Sequence, residues 1–326
     1  MILTVTPNPS LDRTYAVASL DRGAVLRATG DRIDPGGKGV NVSRAVAAAG
    51  VRTTAVLPLD GASGVLIAEL LGVQGVDVTA VSIAGQTCSN VSLAEPDGTL
   101  TKINAPGPEL TAEESDLLLE TVRTCAGHPT WIAACGSLPR GLQPEWYADL
   151  VARARETGAR VALDTSGPAL TCALGARPDL VKPNAPELAQ AVGRPLDTLG
   201  DAVRAARELC SRGAGAVLAS LGADGQLLVC AEGVFHGTAP AVAVRSDVGA
   251  GDAALAGFLI AGGPSAAAGS GGGTSPAALV SALAYGAAAV QLPGSVMPTP
   301  VDLHPEAVTV TENPPEDLRL TTPARP

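Results

Sequence analysis

Short apolar runs alternate with amphipathic segments along most of this chain, and this alternation limits its fold more than any other feature. Segments with helical spacing separate the apolar runs, which have the length of strands and lie at 2–6, 53–57, 130–135, 160–163, 180–182 and 216–220. The pattern predicts βαβ units in an α/β fold, with a mainly parallel sheet flanked by helices. Ligands bind beyond the carboxyl ends of the strands in such sheets, where this chain places its polar turns.

Composition and charge exclude several classes of function. Hydrophobic residues make up 46% of the chain but aromatic residues only 2%, so the predicted core is aliphatic. A net charge of −10 without a basic run argues against a nucleic-acid partner. No apolar run reaches the roughly 18 residues that span a membrane. The first residues resemble a strand rather than a signal peptide, so we expect a cytoplasmic protein with no membrane partner.

Two stretches interrupt the alternation. Residues 12–34 and about 78–104 have a period of two with turn signals, which predicts lid strands inserted into a single α/β domain of residues 1–310. Such a small β sheet could cover the site, form the interface of a homodimer, or both. A Gly/Ser-rich stretch at 262–276 predicts a flexible loop, and the Pro-rich residues 311–326 predict a loose tail.

The strongest local signal is the segment VGAGD at residues 248–252, a glycine-rich turn that opens into an Ala-rich apolar helix. Free N–H groups at a helix start, together with the helix dipole, form an anion site. Asp252 in that turn is a candidate base for a hydroxyl that attacks a phosphoryl group. The alternative interpretation is an ordinary first-turn acid that stabilises the helix.

Three further turns carry candidate binding residues. GGKGVN at 36–41 leads into a helix, with Lys38 and Asn41 suited to a sugar hydroxyl or a phosphate, although such a motif alone is more often a structural helix cap. In KPNAPEL at 182–188, Asn184 and Glu187 either cap a helix or face hydrated Mg²⁺. SLGADG at 220–225 ends a strand in a glycine turn that could receive a nucleotide.

Taken together, these segments resemble the PfkB (ribokinase-like) carbohydrate kinase family. GSLPRG at 136–141 and DTSG at 164–167 add to the four segments above, and all six follow the order and spacing of the family. The resemblance covers residues 1 to about 298. It implies a Rossmann-like sheet with a small β lid, and a reaction in which ATP, with Mg²⁺, phosphorylates a small sugar.

The resemblance also implies roles for individual residues. Asp252 matches the catalytic base, with the N–H groups of Gly249, Ala250 and Gly251 as the anion hole. The implied ATP and Mg²⁺ residues are Lys182, Asn184, Glu187, Ser220, Gly222 and Gly225, with the metal held by Asn184 and Glu187 through water. The positions that match the acceptor-sugar site are Asp12, Gly37, Lys38, Asn41 and Asn104.

Within the family, the sequence is most similar to the branch that phosphorylates sugar phosphates. TPNPSLDRTY at 6–15 and KINAPG at 102–107 carry this similarity, and they favour fructose 1-phosphate over tagatose 6-phosphate as the acceptor. One departure concerns the lid, where the family usually has Thr-Arg-x-Asn and this chain has TCSN at 87–90. Arg13, Arg27 or Arg32 could supply the missing cation. The other hypotheses are a different sugar kinase of this family and a non-catalytic sugar-phosphate sensor with the same fold.

Overall fold

A computed structural model describes residues 1–125, 127–264 and 274–326. The predicted loop at 262–276 therefore lies largely outside the described residues. The strands are β1 (Ile2–Val5), β2 (Ser10–Ala16), β3 (Gly30–Gly36), β4 (Thr53–Leu59), β5 (Asp77–Ser82), β6 (Cys88–Ala94), β7 (Leu100–Ile103), β8 (Trp131–Cys135), β9 (Arg160–Asp164), β10 (Leu180–Val181), β11 (Leu196–Thr198), β12 (Val217–Ser220), β13 (Gln226–Cys230), β14 (Gly233–Thr238), β15 (Thr309–Glu312) and β16 (Arg319–Ala324).

The helices occupy the segments between the strands. They are α1 (Lys38–Ala48), α2 (Gly61–Val73), α3 (Ala112–Thr124), α4 (Trp146–Arg155), α5 (Gly167–Ala173), α6 (Ala185–Val192), α7 (Leu199–Ser211), α8 (Ala250–Ile260) and α9 (Ser275–Ala289). Capping boxes start α3, α6 and α7, because a Thr or Asn side chain and the acid three residues later satisfy each other's backbone N–H groups. In the part of the chain that the structure describes, no helix is long and apolar enough to cross a membrane.

The main sheet confirms the predicted fold class. Its ten strands follow the order β15-β14-β13-β12-β10-β9-β8-β1-β4-β5, and the strands from β12 to β5 are parallel. Helices α3 to α7 pack on one face, whereas α1, α2, α8 and α9 pack on the other. The carboxyl ends of the parallel strands consequently lie along one edge, so the turns that follow them are brought together.

The two tryptophans lie in the core on opposite faces of this sheet. Trp131 is 1% exposed and packs with α1, α8 and α9, and the Arg160 guanidinium lies 4.1 Å from its ring centre. Trp146 is 4% exposed in the layer of α3 to α7, where its Nε1 donates to Ser115 Oγ at 3.0 Å. The rest of the core is mainly aliphatic, as the composition predicted.

A separate four-stranded sheet, in the order β3-β2-β6-β7, projects from the domain and is called the lid below. β2 runs antiparallel to β3 and parallel to β6. The predicted second lid segment, 78–104, began too early: residues 77–82 form the edge strand β5 of the main sheet, and the lid resumes at Cys88. An edge strand with one exposed face has the same period of two as a lid strand, so the sequence could not separate them.

The prediction of a loose tail at 311–326 is wrong, as is a domain boundary at 310. β15 spans 309–312 on the edge of the main sheet, and β16 pairs with β11. Leu320 is 5% and Ala324 4% exposed, and the backbone carbonyls of Glu316 and Leu318 accept hydrogen bonds from the first N–H groups of α7. Burial of two apolar side chains and completion of a helix start outweigh the disorder expected from proline, which edge strands tolerate.

Candidate active site

A cavity of about 410 Å³ opens where the lid meets the carboxyl ends of the central strands. Four of the five predicted acceptor residues line it, namely Asp12, Gly37, Lys38 and Asn104. Residues 136–137 and 165–166, from the two motifs that follow β8 and β9, form another part of its wall. The sheet topology thus brings distant sequence motifs to one site.

The lid wall of the cavity is polar and internally hydrogen-bonded. Asp12 accepts hydrogen bonds from Ser10 Oγ at 2.7 Å and from Asn90 Nδ2 at 3.0 Å, so one oxygen of its carboxylate is held in place. Cys88 stands beside them, and its Sγ lies 3.4 Å from Asn90 Oδ1. Neither Ser10 nor Asn90 was predicted as a site residue, although Asn90 lies within the predicted lid segment 78–104 and Ser10 lies two residues before the segment 12–34.

Cys88 lines the cavity at the position where the family usually has arginine. Burial raises the pKa of its thiol, against the effect of hydrogen bonds to the backbone of residues 105 and 107, so the group is neutral at physiological pH. Among the described residues that line the cavity, none is Arg13, Arg27 or Arg32. Arg32 is instead paired with Asp34, 2.6 Å away.

Helix α1 starts at the base of the cavity because Gly37 permits a close approach. Gly37 has φ 114°, a conformation that favours glycine, and a Cβ atom there would lie 2.8 Å from Thr6 Cγ2. This turn directs Lys38 into the cavity and places Asn41, which is 7% exposed, one turn further along. The geometry of this turn therefore explains why the motif has glycine at position 37 and lysine at position 38.

Three charged side chains form an ion-pair cluster at the strand ends, in which Asp164 and Lys182 are buried and Lys38 is 37% exposed. Asp164, which is fully buried at the end of β9, lies 2.7 Å from Lys38 Nζ and 2.8 Å from Lys182 Nζ. Burial alone would raise the pKa of Asp164, but the two ammonium groups lower it. Burial would lower the pKa of both lysines, yet Asp164 raises them, so all three groups are charged at neutral pH.

Asp164 is the main residue of the site that was not predicted from the sequence. Its motif, DTSG, contributed to the family resemblance, but no role was attached to the carboxylate. A signal was available, because an acid at the carboxyl end of a buried parallel strand lies at the edge where ligands bind.

Asp252 occupies the first turn of α8, beside this cluster. It is 7% exposed, and its Oδ2 accepts a hydrogen bond from Asn41 Nδ2 at 2.9 Å. Burial raises the pKa of Asp252 to about 6, with a further contribution from the Asp164 charge, while Asn41 and the two lysines oppose the shift. Asp252 stands just outside the described cavity lining, and Lys38 connects the two regions because it lines the cavity and its charge acts on Asp252.

The ammonium group of Lys182 lies close to the start of α8. Gly249 adopts the left-handed conformation as the N-cap, and Ala250 and Gly251 are the first two helical residues. A Cβ atom on Gly251 would lie 3.2 Å from Lys182 Nζ. The ammonium group therefore lies close to this helix start, a suitable arrangement for an anion, although the Ala250 N–H also reaches the Asp247 carbonyl oxygen at 3.4 Å.

Asn184 and Glu187 form the capping box of α6, which was the structural alternative for this pair. Asn184 Oδ1 accepts from the Glu187 N–H at 2.8 Å, and Glu187 Oε2 accepts from the Asn184 N–H at 2.9 Å. Glu187 Oε1 faces the cavity 3.6 Å from Lys38 Nζ. One carboxylate oxygen thus holds the helix while the other remains available for a second partner.

The described residues contain no group of three or more His, Cys, Asp or Glu that could hold a metal ion by themselves. Mg²⁺ commonly takes only one or two protein carboxylates and completes its coordination with phosphate oxygens and water. The Glu187 Oε1 atom supplies an oxygen of the required kind.

The predicted nucleotide turn adjoins the site without lining the cavity. Ser220, at the end of β12, forms a β-bridge with Asn184, and residues 222–224 form a short 3₁₀ helix. Gly225 has φ 87°, and a Cβ atom there would lie 2.0 Å from the Gly237 carbonyl oxygen, so packing alone requires this glycine. Gly222 has φ 65° with open space around it. The turn is accessible beside the start of α6.

The family model for the pfkB family carbohydrate kinases matches residues 7–302. This chain belongs to that family. The kinase is 42% identical over 262 residues to 1-phosphofructokinase from Rhodobacter capsulatus, a match that covers 79% of this chain and 82% of the relative. It is 34% identical over 261 residues to ATP-dependent 6-phosphofructokinase isozyme 2 from Mycobacterium tuberculosis, which covers 79% and 77% of the two chains.

Solved structures agree with this assignment. Phosphofructokinase-2 from Escherichia coli, in complex with potassium, superposes on the kinase with a TM-score of 0.84 at 32% identity and covers 92% of this chain and 96% of its own. The ribokinase-like fold and the family predicted from the six motifs are both confirmed. The match ends at residue 302, so β15 and β16 lie beyond the part that the family model describes.

Proposed function

We propose that this kinase transfers the γ-phosphoryl group of ATP to the C6 hydroxyl of fructose 1-phosphate, giving fructose 1,6-bisphosphate and ADP. The observation that carries the proposal is the position of Asp252, a buried carboxylate at a glycine-rich helix start beside a cavity lined by the predicted acceptor residues. The choice of sugar rests on the similarity to 1-phosphofructokinases, including the one from Rhodobacter capsulatus.

In this mechanism Asp252 accepts the proton of the C6 hydroxyl as its oxygen forms the bond to the γ-phosphorus, and the bond to the bridging oxygen of ADP breaks. The N–H groups of Gly249, Ala250 and Gly251, together with Lys182, stabilise charge on the transferring group. Asp12, Gly37 and Asn104 hold the sugar, and Asn41 positions the base. Lys38 contacts the phosphate side of the acceptor and fixes its distance.

The nucleotide would lie across Ser220, Gly222 and Gly225, with its phosphates directed at the start of α8. Bound Mg²⁺ would neutralise phosphate charge next to Glu187 and Asn184, through water. Closure of the lid over the sugar would exclude water, which competes as an acceptor. A cytoplasmic location remains a prediction of the sequence.

A coupled assay of ADP release tests the acceptor, with fructose 1-phosphate, fructose 6-phosphate, tagatose 6-phosphate and fructose compared at equal concentrations. We expect the highest kcat/KM with fructose 1-phosphate. A higher kcat/KM with fructose 6-phosphate would instead indicate a 6-phosphofructokinase, which is the activity given by the name of the Mycobacterium tuberculosis relative. Ligand-dependent melting without ADP release from any sugar would favour a sensor and contradict the proposal.

The pH dependence follows from the raised pKa of Asp252, which is about 6. A general base acts only when ionised, so kcat/KM for the sugar should fall as the pH drops through about 6 and should reach a plateau from about one pH unit above it. A pH profile with saturating ATP measures this limb. Full activity at pH 5 would contradict the assignment of Asp252 as the base.

We also propose that the lid forms a homodimer interface with a second copy of the chain. On the lid face opposite Asp12, the strand register aligns Tyr15 with Leu93 and Val91 with Ile103, and Ile103 is 60% exposed. A second lid would cover this apolar surface, whereas a single lid leaves it in water. The related phosphofructokinase-2 from Escherichia coli has been solved in a tetrameric form.

Light scattering after size exclusion tests the interface. We expect a dimer for the wild type and a monomer for Ile103→Asp, because a buried unpaired carboxylate opposes association. Val301→Asp is the matched control, since Val301 is 88% exposed and lies far along the chain from the lid. A monomeric wild type, or a dimeric Ile103→Asp variant, would contradict the proposal.

A further inference from the structure

A buried arginine, Arg44, lies one turn along α1 from Asn41 and outside the described cavity lining. It is 6% exposed, and its Nη1 donates to Asn41 Oδ1 at 3.1 Å. Asn41 Nδ2 in turn donates to Asp252 Oδ2 at 2.9 Å. Three side chains from two helices thus form one continuous hydrogen-bonded chain that ends on the proposed base.

The direction of this chain is fixed by chemistry. A guanidinium has donors but no acceptor, so it can bond only to the oxygen end of the Asn41 amide. The nitrogen end must then face Asp252, where it donates to the carboxylate. Rotation of the amide by 180° would place two donors together at Arg44 and two acceptors together at Asp252. The presence of Arg44 therefore excludes the orientation that would repel the ionised base.

Contacts from several elements hold Arg44 itself. Nε donates to Gln74 Oε1 at 2.8 Å after the end of α2, and Nη1 approaches Ser295 Oγ at 3.3 Å and the Pro35 carbonyl oxygen at 3.4 Å. Asp34 on β3 supplies a carboxylate 3.7 Å from Nη2. A rigid, planar group with donors in several directions suits this position, which lysine could not fill.

We propose that Arg44 is a positioning residue, which keeps the Asn41 amide oriented so that Asp252 stays ionised and aligned toward the acceptor hydroxyl. This inference rests on the proposed role of Asp252 as the base. Arg44 acts through Asn41 and does not contact the cavity lining, so it should affect the protonation and alignment of the base more than the binding of either substrate.

The other charged groups near these side chains set the background for a pH test. Asp252 is faced by Lys38 from α1, by Asp164 from the end of β9 and by Lys182 from the end of β10. Cys135, at the end of β8, is close enough for the charge of Asp252 to act on its thiol, whose pKa burial raises.

Near Arg44 the charged groups are Asp34 and Arg32 on β3 and Asp12 on β2, and burial lowers the pKa of Arg44. The hydrogen bond from Asn41 lowers the pKa of Asp252. Its loss should therefore move the acid limb of activity to higher pH.

A double-mutant cycle tests the proposal with kcat/KM profiles from pH 5 to 9. Arg44→Met should move the acid limb upward by about one pH unit, which is roughly a fivefold loss at pH 6, with KM for ATP within about threefold of wild type. Asn41→Leu should show the same shift. The double variant should be no worse than Asn41→Leu alone, because both changes remove one interaction with the base.

Two controls keep structural effects separate. Gln74→Met removes a hydrogen bond from Arg44 that does not face Asn41, so its acid limb should coincide with that of the wild type. If Arg44→Met does not fold, Arg44→Lys is the alternative variant. It keeps a positive charge beside Asp34 but loses the planar guanidinium with its several donors, so its acid limb should shift in the same direction by a smaller amount.

Losses that add in the double variant, or an unshifted acid limb in every folded Arg44 variant, would overturn the positioning role. Inactivity of the wild type, or full activity of Asp252→Asn, would instead overturn the proposed function, so the two failures are distinguishable.

Discussion

Asp252→Asn is expected to reduce kcat by a factor of about 10² to 10⁴ while the protein remains folded. Asparagine has nearly the same shape and can still occupy the first turn of α8, but it cannot accept the proton of the attacking hydroxyl. The competing explanation, a first-turn acid that stabilises a helix, accounts for only about 0.3–1 kcal/mol of stability and for no change in kcat. Initial rates at saturating ATP and fructose 1-phosphate, with a thermal melt, separate the two.

Asp149→Asn is the matched control for this experiment. Asp149 is also an acid in the first turn of a helix, α4, but no residue of that helix is among the described residues that line the cavity. Its replacement should alter stability slightly and leave kcat unchanged. If Asp252→Asn behaves like Asp149→Asn, the proton acceptor must be sought elsewhere.

Asp164→Asn is expected to lower the free energy of unfolding by about 3–5 kcal/mol at pH 7. The substitution removes the carboxylate that is paired at 2.8 Å with the ammonium group of Lys182, which is 5% exposed, and leaves only the weaker effect of the Asp252 charge. An uncompensated buried charge is far more costly than a solvated one, because the protein interior cannot replace its hydration. Urea unfolding at constant slope measures the loss.

The pH dependence of this variant identifies the cause. Without Asp164, burial depresses the pKa of Lys182 in the folded state, so the penalty should shrink as the pH rises toward about 10 and the amine becomes neutral. Glu316→Gln is the control, since Glu316 is about half exposed beside Arg204 and Arg207 and its loss should cost less than about 1 kcal/mol. A comparable small loss for Asp164→Asn would show that the cluster is solvated.

Predictions from the sequence were most accurate for elements whose local residue pattern is compatible with only one type of secondary structure. Apolar runs and glycine turns located the parallel strands and the helices of the main domain, and the prediction of a glycine-rich turn that leads into a helix placed Lys38 and Asp252 at helix starts. The six motifs added the family, because their joint order is far more specific than any of them alone.

The parts that escaped prediction depend on contacts between distant segments. Asp164 acquires its partners from α1 and from the end of β10, and neither pairing leaves a mark in the sequence near Asp164. The C-terminal strand β16 is stable because Leu320 is buried against another layer, although its neighbours include prolines. Asn41 likewise has two partners, Arg44 and Asp252, and the second is 211 residues away along the chain.

The placement of the two indole rings gives each helical layer its own optical reporter. Trp131 is surrounded by the layer that contains α1 and α8, whereas Trp146 belongs to the layer of α3 to α7. A Trp146→Phe variant would therefore leave emission from the catalytic side of the sheet alone, and Trp131→Phe would leave emission from the opposite side. Coincident denaturation curves for the two variants would mean that both sides of the molecule lose their packing in one cooperative event.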